Sequence, residues 1–202
     1  CRATPWDGTP GGSGTALTAM VVVSNSLPTV TAHLSPGVVR TDDRVRVIST
    51  AVDLDGDMVT LSYRWMVDGV YVGSDSIELD GALWFDKGDS IQVDITPSDG
   101  SGSGPVYVAG PVTVANSAPE GLEVAIVPEA PDEGEDDLRC TLDSVAADVD
   151  GDPIDYEVRW YRDGMLVETG LSTVSLEGDT VNAAETTGGD EWTCEITATD
   201  DD

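Results

Sequence analysis

The sequence holds one lysine, Lys87, and one histidine, His33, and its 9 Lys and Arg side chains face 39 acidic ones. The formal net charge is -30. A chain so poor in cations cannot neutralise a phosphate backbone, and an anionic membrane surface repels it. Nucleic acid is therefore excluded as a partner, whereas divalent cations are attracted. Long apolar runs are missing too. No stretch approaches the roughly 18 residues of a bilayer-crossing helix, so no membrane insertion is expected.

Catalytic patterns are equally scarce. One histidine and three cysteines do not make a Cys/His zinc set. No Gly-x-Ser-x-Gly elbow occurs, and nothing singles out two carboxylates for glycoside hydrolysis. The Gly-rich runs 11–14 and 100–104 lead into strand-like sequence without a lysine, which makes them hairpin loops and not phosphate cradles. His33 sits on what reads as a first strand and has no partner histidine. The expectation is a protein that is not an enzyme.

What is present is valine, β-pattern and repetition. At 202 residues, with 40% hydrophobic residues, the chain has room for two ordinary domains. Valine dominates the aliphatic share and helix formers are few, so all-β structure is expected. Asn25-Ser26-Leu27-Pro28 recurs as Asn116-Ser117-Ala118-Pro119, each time between a Val-rich run and another extended one, and reads as a linker. The segment Ala51 to Asp57 matches Ala146 to Asp152, and the same offset carries Asp68-Gly69 onto Asp163-Gly164. A later strand appears three times, at Cys1 to Gly8, Val93 to Gly100 and Cys194 to Asp201, which puts Cys1 in the position of Cys194. The expected domains are the end strands of a partial sandwich plus linker over 1–26, a complete domain over 27–116, and a domain lacking its last strand over 117–202. Such ends fit either a window on a longer array or completion of each partial sandwich by a neighbouring copy, head-to-tail, with Cys1 paired outside this chain.

Period-two alternation marks strands at Val45 and Val47, at Val59 to Trp65, at Ile91 to Ile95, and at Val112 and Val114. Asp68-Gly69 supplies a two-residue hairpin turn, because both residues accept positive φ. Short strands with Gly, Pro and Asp punctuation indicate antiparallel β-sandwiches.

Cys140, Trp160 and Cys194 stand in the order of the immunoglobulin pattern, with Asp190 to Cys194 resembling the segment before its second cysteine and Trp192 replacing the tyrosine there. The run from Asp53 to Trp65, Asp-x-Asp-Gly-Asp leading into Tyr-x-Trp, resembles the polycystic-kidney-disease (PKD) type repeats of bacterial and archaeal surface proteins. Thr96 to Gly100 is similar to the end of that family's sixth strand. The resemblance implies tandem immunoglobulin-like (PKD-like) sandwiches at the cell surface or outside the cell. It also implies a disulfide between Cys140 and Cys194 packed on Trp160, with Val45 and Val93 packing apolarly in its place in the preceding domain. Repeats of this kind serve as stalks, adhesive arrays or fibres, and as spacers or polysaccharide-binding modules beside the catalytic domain of secreted hydrolases.

Asp53, Asp55 and Asp57, and again Asp148, Asp150 and Asp152, place carboxylates at alternate positions of a loop bent by a glycine. Calcium takes six to eight oxygens clustered in this way; the competing reading is turn chemistry on a solvated loop. In a sandwich of this topology Asp99 joins the first cluster and Asp200 the second, and Asn25 and Asn116 offer oxygens from the linkers. Trp65, Trp160 and Trp192 fall on inward phases, while Trp6 and Trp84 lie off them beside loops and are candidates for carbohydrate stacking or contact with a neighbouring copy.

Overall fold

The computed structural model describes residues 1–11, 14–73 and 75–200. Gly12 and Ser13 of the first Gly-rich run, and Asp201 of the third copy of the repeated strand with the terminal Asp202, lie outside the described residues. The chain is almost entirely β, with 47% of residues in strands and 4% in helix. It begins with a ribbon of β1 (Arg2–Ala3) against β2 (Leu17–Thr18), paired antiparallel. These strands are shorter than the alternating sequence suggests. A two-stranded ribbon has no second layer on which to bury an apolar face, and Met20 to Val23 are 83–94% exposed.

The next unit is a sandwich. Its strands are β3 (Thr29–Ser35), β4 (Val39–Arg40), β5 (Arg44–Val52), β6 (Thr60–Val67), β7 (Val70–Tyr71), β8 (Glu78–Asp80), β9 (Ser90–Ser98) and β10 (Tyr107–Ala115), with a one-turn helix α1 (Gly81–Trp84) after β8. One sheet has the order β3-β5-β8 and the other β4-β10-β9-β6-β7. All pairings are antiparallel except β4 with β10, which run parallel at Val39↔Val114 and Arg40↔Ala115. Alternation decides the register: Arg44 and Arg46 are exposed while Val45 and Val47 are buried, and Ile91, Val93 and Ile95 are all sealed from solvent. Side chains from both sheets then form one core around the fully buried Trp65, whose Nε1 donates to Ser76 O at 2.8 Å. Asp68 and Gly69 take φ of 49° and 75°, the conformation of a type I′ hairpin turn, and so join β6 to β7.

The second sandwich uses β11 (Glu123–Val127), β12 (Leu138–Ser144), β13 (Asp155–Arg162), β14 (Met165–Val167), β15 (Leu171–Ser172), β16 (Thr180–Val181) and β17 (Trp192–Thr199). Its sheets are β11-β12-β16-β15 and β14-β13-β17. Among the described residues β17 is paired on one side only, by β13. The core forms around Trp160, with Leu138, Val181 and Ile196 buried against it. Trp192 meets Trp160 edge-on at 6.2 Å. Cys140 on β12 and Cys194 on β17 are joined by a disulfide, with Cα atoms 6.1 Å apart, and Cys194 lies opposite Trp160 in the ladder. In the first sandwich Trp65 lies opposite Val93, and Val45 and Val93 fill this space without a covalent link.

Candidate metal centres at two acidic loops

Each acidic loop leaves a strand of one sheet and enters a strand of the other, β5 to β6 in the first sandwich and β12 to β13 in the second, so it must turn sharply. Gly56 (φ 84°) and Gly151 (φ 78°) make the turn in a region that other residues avoid. The leading aspartate folds the loop around itself. Asp53 Oδ1 accepts from the backbone N–H groups of Asp55 (2.8 Å) and Asp57 (3.2 Å), and Asp148 Oδ1 accepts from those of Asp150 (2.8 Å) and Asp152 (3.3 Å). One oxygen of each leading aspartate is thereby committed to the backbone. In both loops one carboxylate oxygen from each of the three aspartates lies within 4.8 Å of the other two.

The linkers complete the arrangement in the same way twice. Ser26 N–H donates to Asp55 Oδ2 at 2.6 Å, and Ser117 N–H donates to Asp150 Oδ2 at 2.6 Å. The Asn25 amide donates to Asp99 Oδ2 at 2.8 Å, and the Asn116 amide donates to Asp200 Oδ2 at 2.9 Å. Each amide that gives its N–H to the aspartate turns its own carbonyl oxygen away from it. The structure thus brings three carboxylates together in each loop, Asp53, Asp55 and Asp57 and again Asp148, Asp150 and Asp152, while Asp99 and Asp200 hydrogen-bond the linker amides of Asn25 and Asn116 and stand outside these clusters. The Gly-rich hairpin after β9 lies directly on the first linker. A Cβ on Gly104 would overlap the Pro28 carbonyl, and one on Gly102 would come within 2.5 Å of Leu27.

The electrostatics favour the charged form of Asp99 and Asp150. The Asn25 amide, followed by the backbone N–H groups of Gly102 and Ser101, holds the Asp99 carboxyl below the ordinary carboxylate range despite a small opposing effect of burial. Burial works against the charge of Asp150 most strongly. It is outweighed by the Thr41 hydroxyl, by the N–H and hydroxyl of Ser117 and by the Lys87 ammonium, so that carboxyl also sits low. The two hydroxyls approach Asp150 without completing a hydrogen bond of good geometry.

Unpaired oxygens concentrate at these loops. Among the described residues, the buried side-chain polar atoms without a hydrogen-bond partner are Asp53 Oδ2, Asp148 Oδ2, Asp150 Oδ1, Asn116 Oδ1, Ser117 Oγ, Thr41 Oγ1 and, far from either loop, Trp192 Nε1. Leaving one such group unsatisfied costs about 1–3 kcal/mol, and converging carboxylates add mutual repulsion. A hard cation with oxygen ligands removes both penalties, so the residues present fit calcium.

The second loop differs in its surroundings. Asp148, Asp150 and Asp152 are all half-buried, whereas in the first loop only Asp53 is. The end of the first sandwich covers it: Lys87 Nζ donates to Asp152 Oδ2 at 2.6 Å, and Arg40 Nε donates to Asn116 O at 3.1 Å. Neither residue was selected from the sequence, although Lys87 is conspicuous as the single lysine. The serine that follows the asparagine in both linkers was a second available signal. Trp6 is 71% exposed beside β1, and Trp84, on α1, is 42% exposed; they lie on separate elements and form no common strip. Cys1 is exposed and outside any disulfide among the described residues.

Comparison with protein-family models and with curated proteins gave no match for this chain. Among the described residues no helix is long and apolar enough to cross a membrane.

Proposed function

We propose that this chain is a structural stretch of tandem immunoglobulin-like (PKD-like) sandwiches from an extracellular or cell-surface stalk, adhesin or fibre, stiffened by calcium at its joints and without catalytic activity. The observation that carries this reading is the buried, unpaired Oδ2 of Asp53 and of Asp148, at the same position of two linker-facing loops in which three carboxylates converge. Asp53, Asp55, Asp57 and Asp99 with Asn25 would hold one ion, and Asp148, Asp150, Asp152 and Asp200 with Asn116 the other. Calcium would supply the positive charge that lets the linker, the acidic loop and the end of β9 or β17 close on one another. A disulfide in the second sandwich accords with an oxidising compartment. Neighbouring repeats, in this chain or in other copies, are the natural partners of such a module. A polysaccharide-binding module would present an aromatic strip, and the exposed Trp6 beside β1 and Trp84 on α1, in different parts of the fold, favour the stalk.

Calorimetric titration of CaCl2 into chelator-treated protein tests the reading. Binding with a Kd on the order of 10⁻⁴ to 10⁻³ M is expected, as in other extracellular modules, and the paired substitutions Asp55→Asn and Asp57→Asn should remove one site. If no calcium heat appears at either loop, the carboxylates are turn residues only.

A further inference from the structure

The second acidic loop already carries a cation, supplied by the preceding sandwich. Lys87 Nζ lies 2.6 Å from Asp152 Oδ2, with the two side chains 28% and 26% exposed. Its loop is fixed in place: Asp86 N–H donates to Asp89 Oδ2 at 2.9 Å, Gly88 N–H to Val114 O at 3.0 Å, and Val114 N–H to Asp89 O at 2.9 Å. These bonds tie Lys87 to the end of β10, immediately before the linker. Beside it the Thr41 and Ser117 hydroxyls, only 9% and 8% exposed and both unpaired, converge on Asp150 from opposite sides of the joint. Among the described residues, Asp53, Asp55 and Asp57 form no ion pair.

We propose that Lys87 is the resident counter-ion of the second acidic loop: it locks the joint between the two sandwiches when no divalent ion is bound, and it competes with such an ion for Asp152. The two loops, equivalent in their own residues, would then answer differently to the same calcium concentration. The competition rests on the reading of the loops as cation sites; the lock does not. An ammonium in contact with a ligand carboxylate neutralises one of the charges that attract the ion, and partial burial weakens solvent screening of that effect. The lysine stem is flexible, so the ammonium can swing out as the ion enters, which makes the two cations alternatives. Loss of one nearby positive charge should tighten divalent binding at this loop by about tenfold, a modest share of the interaction between close charges.

Lys87→Met keeps the stem and removes the charge. Residual dipolar couplings measured in EDTA should give one common alignment tensor for both sandwiches of the unsubstituted chain and two different tensors for the variant. Addition of CaCl2 should restore a common tensor to the variant. In a background of Asp55→Asn and Asp57→Asn, calorimetry isolates the second loop, and Lys87→Met should raise its calcium affinity about tenfold. Coincident tensors for the variant in EDTA, or divergent tensors already in the unsubstituted chain, would overturn the lock; an unchanged affinity at the second loop would overturn the competition. If the variant loosens the joint and calcium binds neither loop, the lock stands and the calcium reading falls.

Discussion

Asp179 is fully buried, and its carboxylate accepts hydrogen bonds from the backbone N–H groups of Val174, Ser175 and Leu176 and from the Thr180 hydroxyl, at 2.7–2.9 Å. Burial alone would raise its pKa. The three N–H groups and the hydroxyl together outweigh burial and hold the carboxyl below its ordinary value near 3.8. One side chain therefore organises the turn that also presents Gly178 O to Trp160 Nε1. Asp179→Ala leaves three part-buried N–H groups without their acceptor and should destabilise the protein by about 1–3 kcal/mol in urea titrations. Because the folded pKa is the lower one, the contribution of Asp179 is fully present above the unfolded value and is lost as pH falls through the folded value. Unfolding measured from pH 5 downwards should therefore show the advantage of the natural chain over Asp179→Asn shrinking below pH 4, and an advantage independent of pH there would refute the assignment.

At the scale of elements, the disulfide marks the main difference between the two sandwiches. It ties β12 to β17, in different sheets, across a sequence separation of 54 residues. The first sandwich reaches the same closure with Val45, Val93 and a larger set of buried aliphatics. Replacement of both Cys140 and Cys194 by alanine should cost the second sandwich about 2–5 kcal/mol and leave the first unchanged. Separate amide-exchange protection of the two units would read this, and equal loss in both would contradict it. The long strands β5, β6, β9, β13 and β17 were legible in the sequence because one face is buried and the alternation is strict. The Asp-Gly turns were legible because their chemistry is local. The short strands β15 and β16 were not, since two residues carry no period and pair only where a neighbour happens to lie. The acidic loops announced their own residues, but Lys87, Arg40 and Thr41 reach the second one from a different sandwich, through a contact that no local pattern encodes.

At the scale of the whole molecule, a net charge of -30 opposes any compact arrangement of neighbouring sandwiches. Calcium bound as proposed, by the folded state only, would oppose that repulsion, and at a hundredfold excess over Kd one site would add about 2.7 kcal/mol. Melting in 10 mM CaCl2 should therefore occur several degrees higher than in EDTA, and the gain should vanish when both acidic loops carry Asn at the second and third aspartates. The parallel contact of β4 with β10 has a mechanical consequence. Once β3, where the chain enters, has peeled from its antiparallel partner β5, tension on the two ends of the first sandwich pulls β4 backwards and β10 forwards along the direction in which they are paired at Val39↔Val114 and Arg40↔Ala115. The bonds between them are then loaded in shear and share the force, where an antiparallel pair pulled from one end would open one bond at a time. A protein stretched between its ends would meet this patch once β3 has come away from β5, directly beside the joint that Lys87 and Arg40 close.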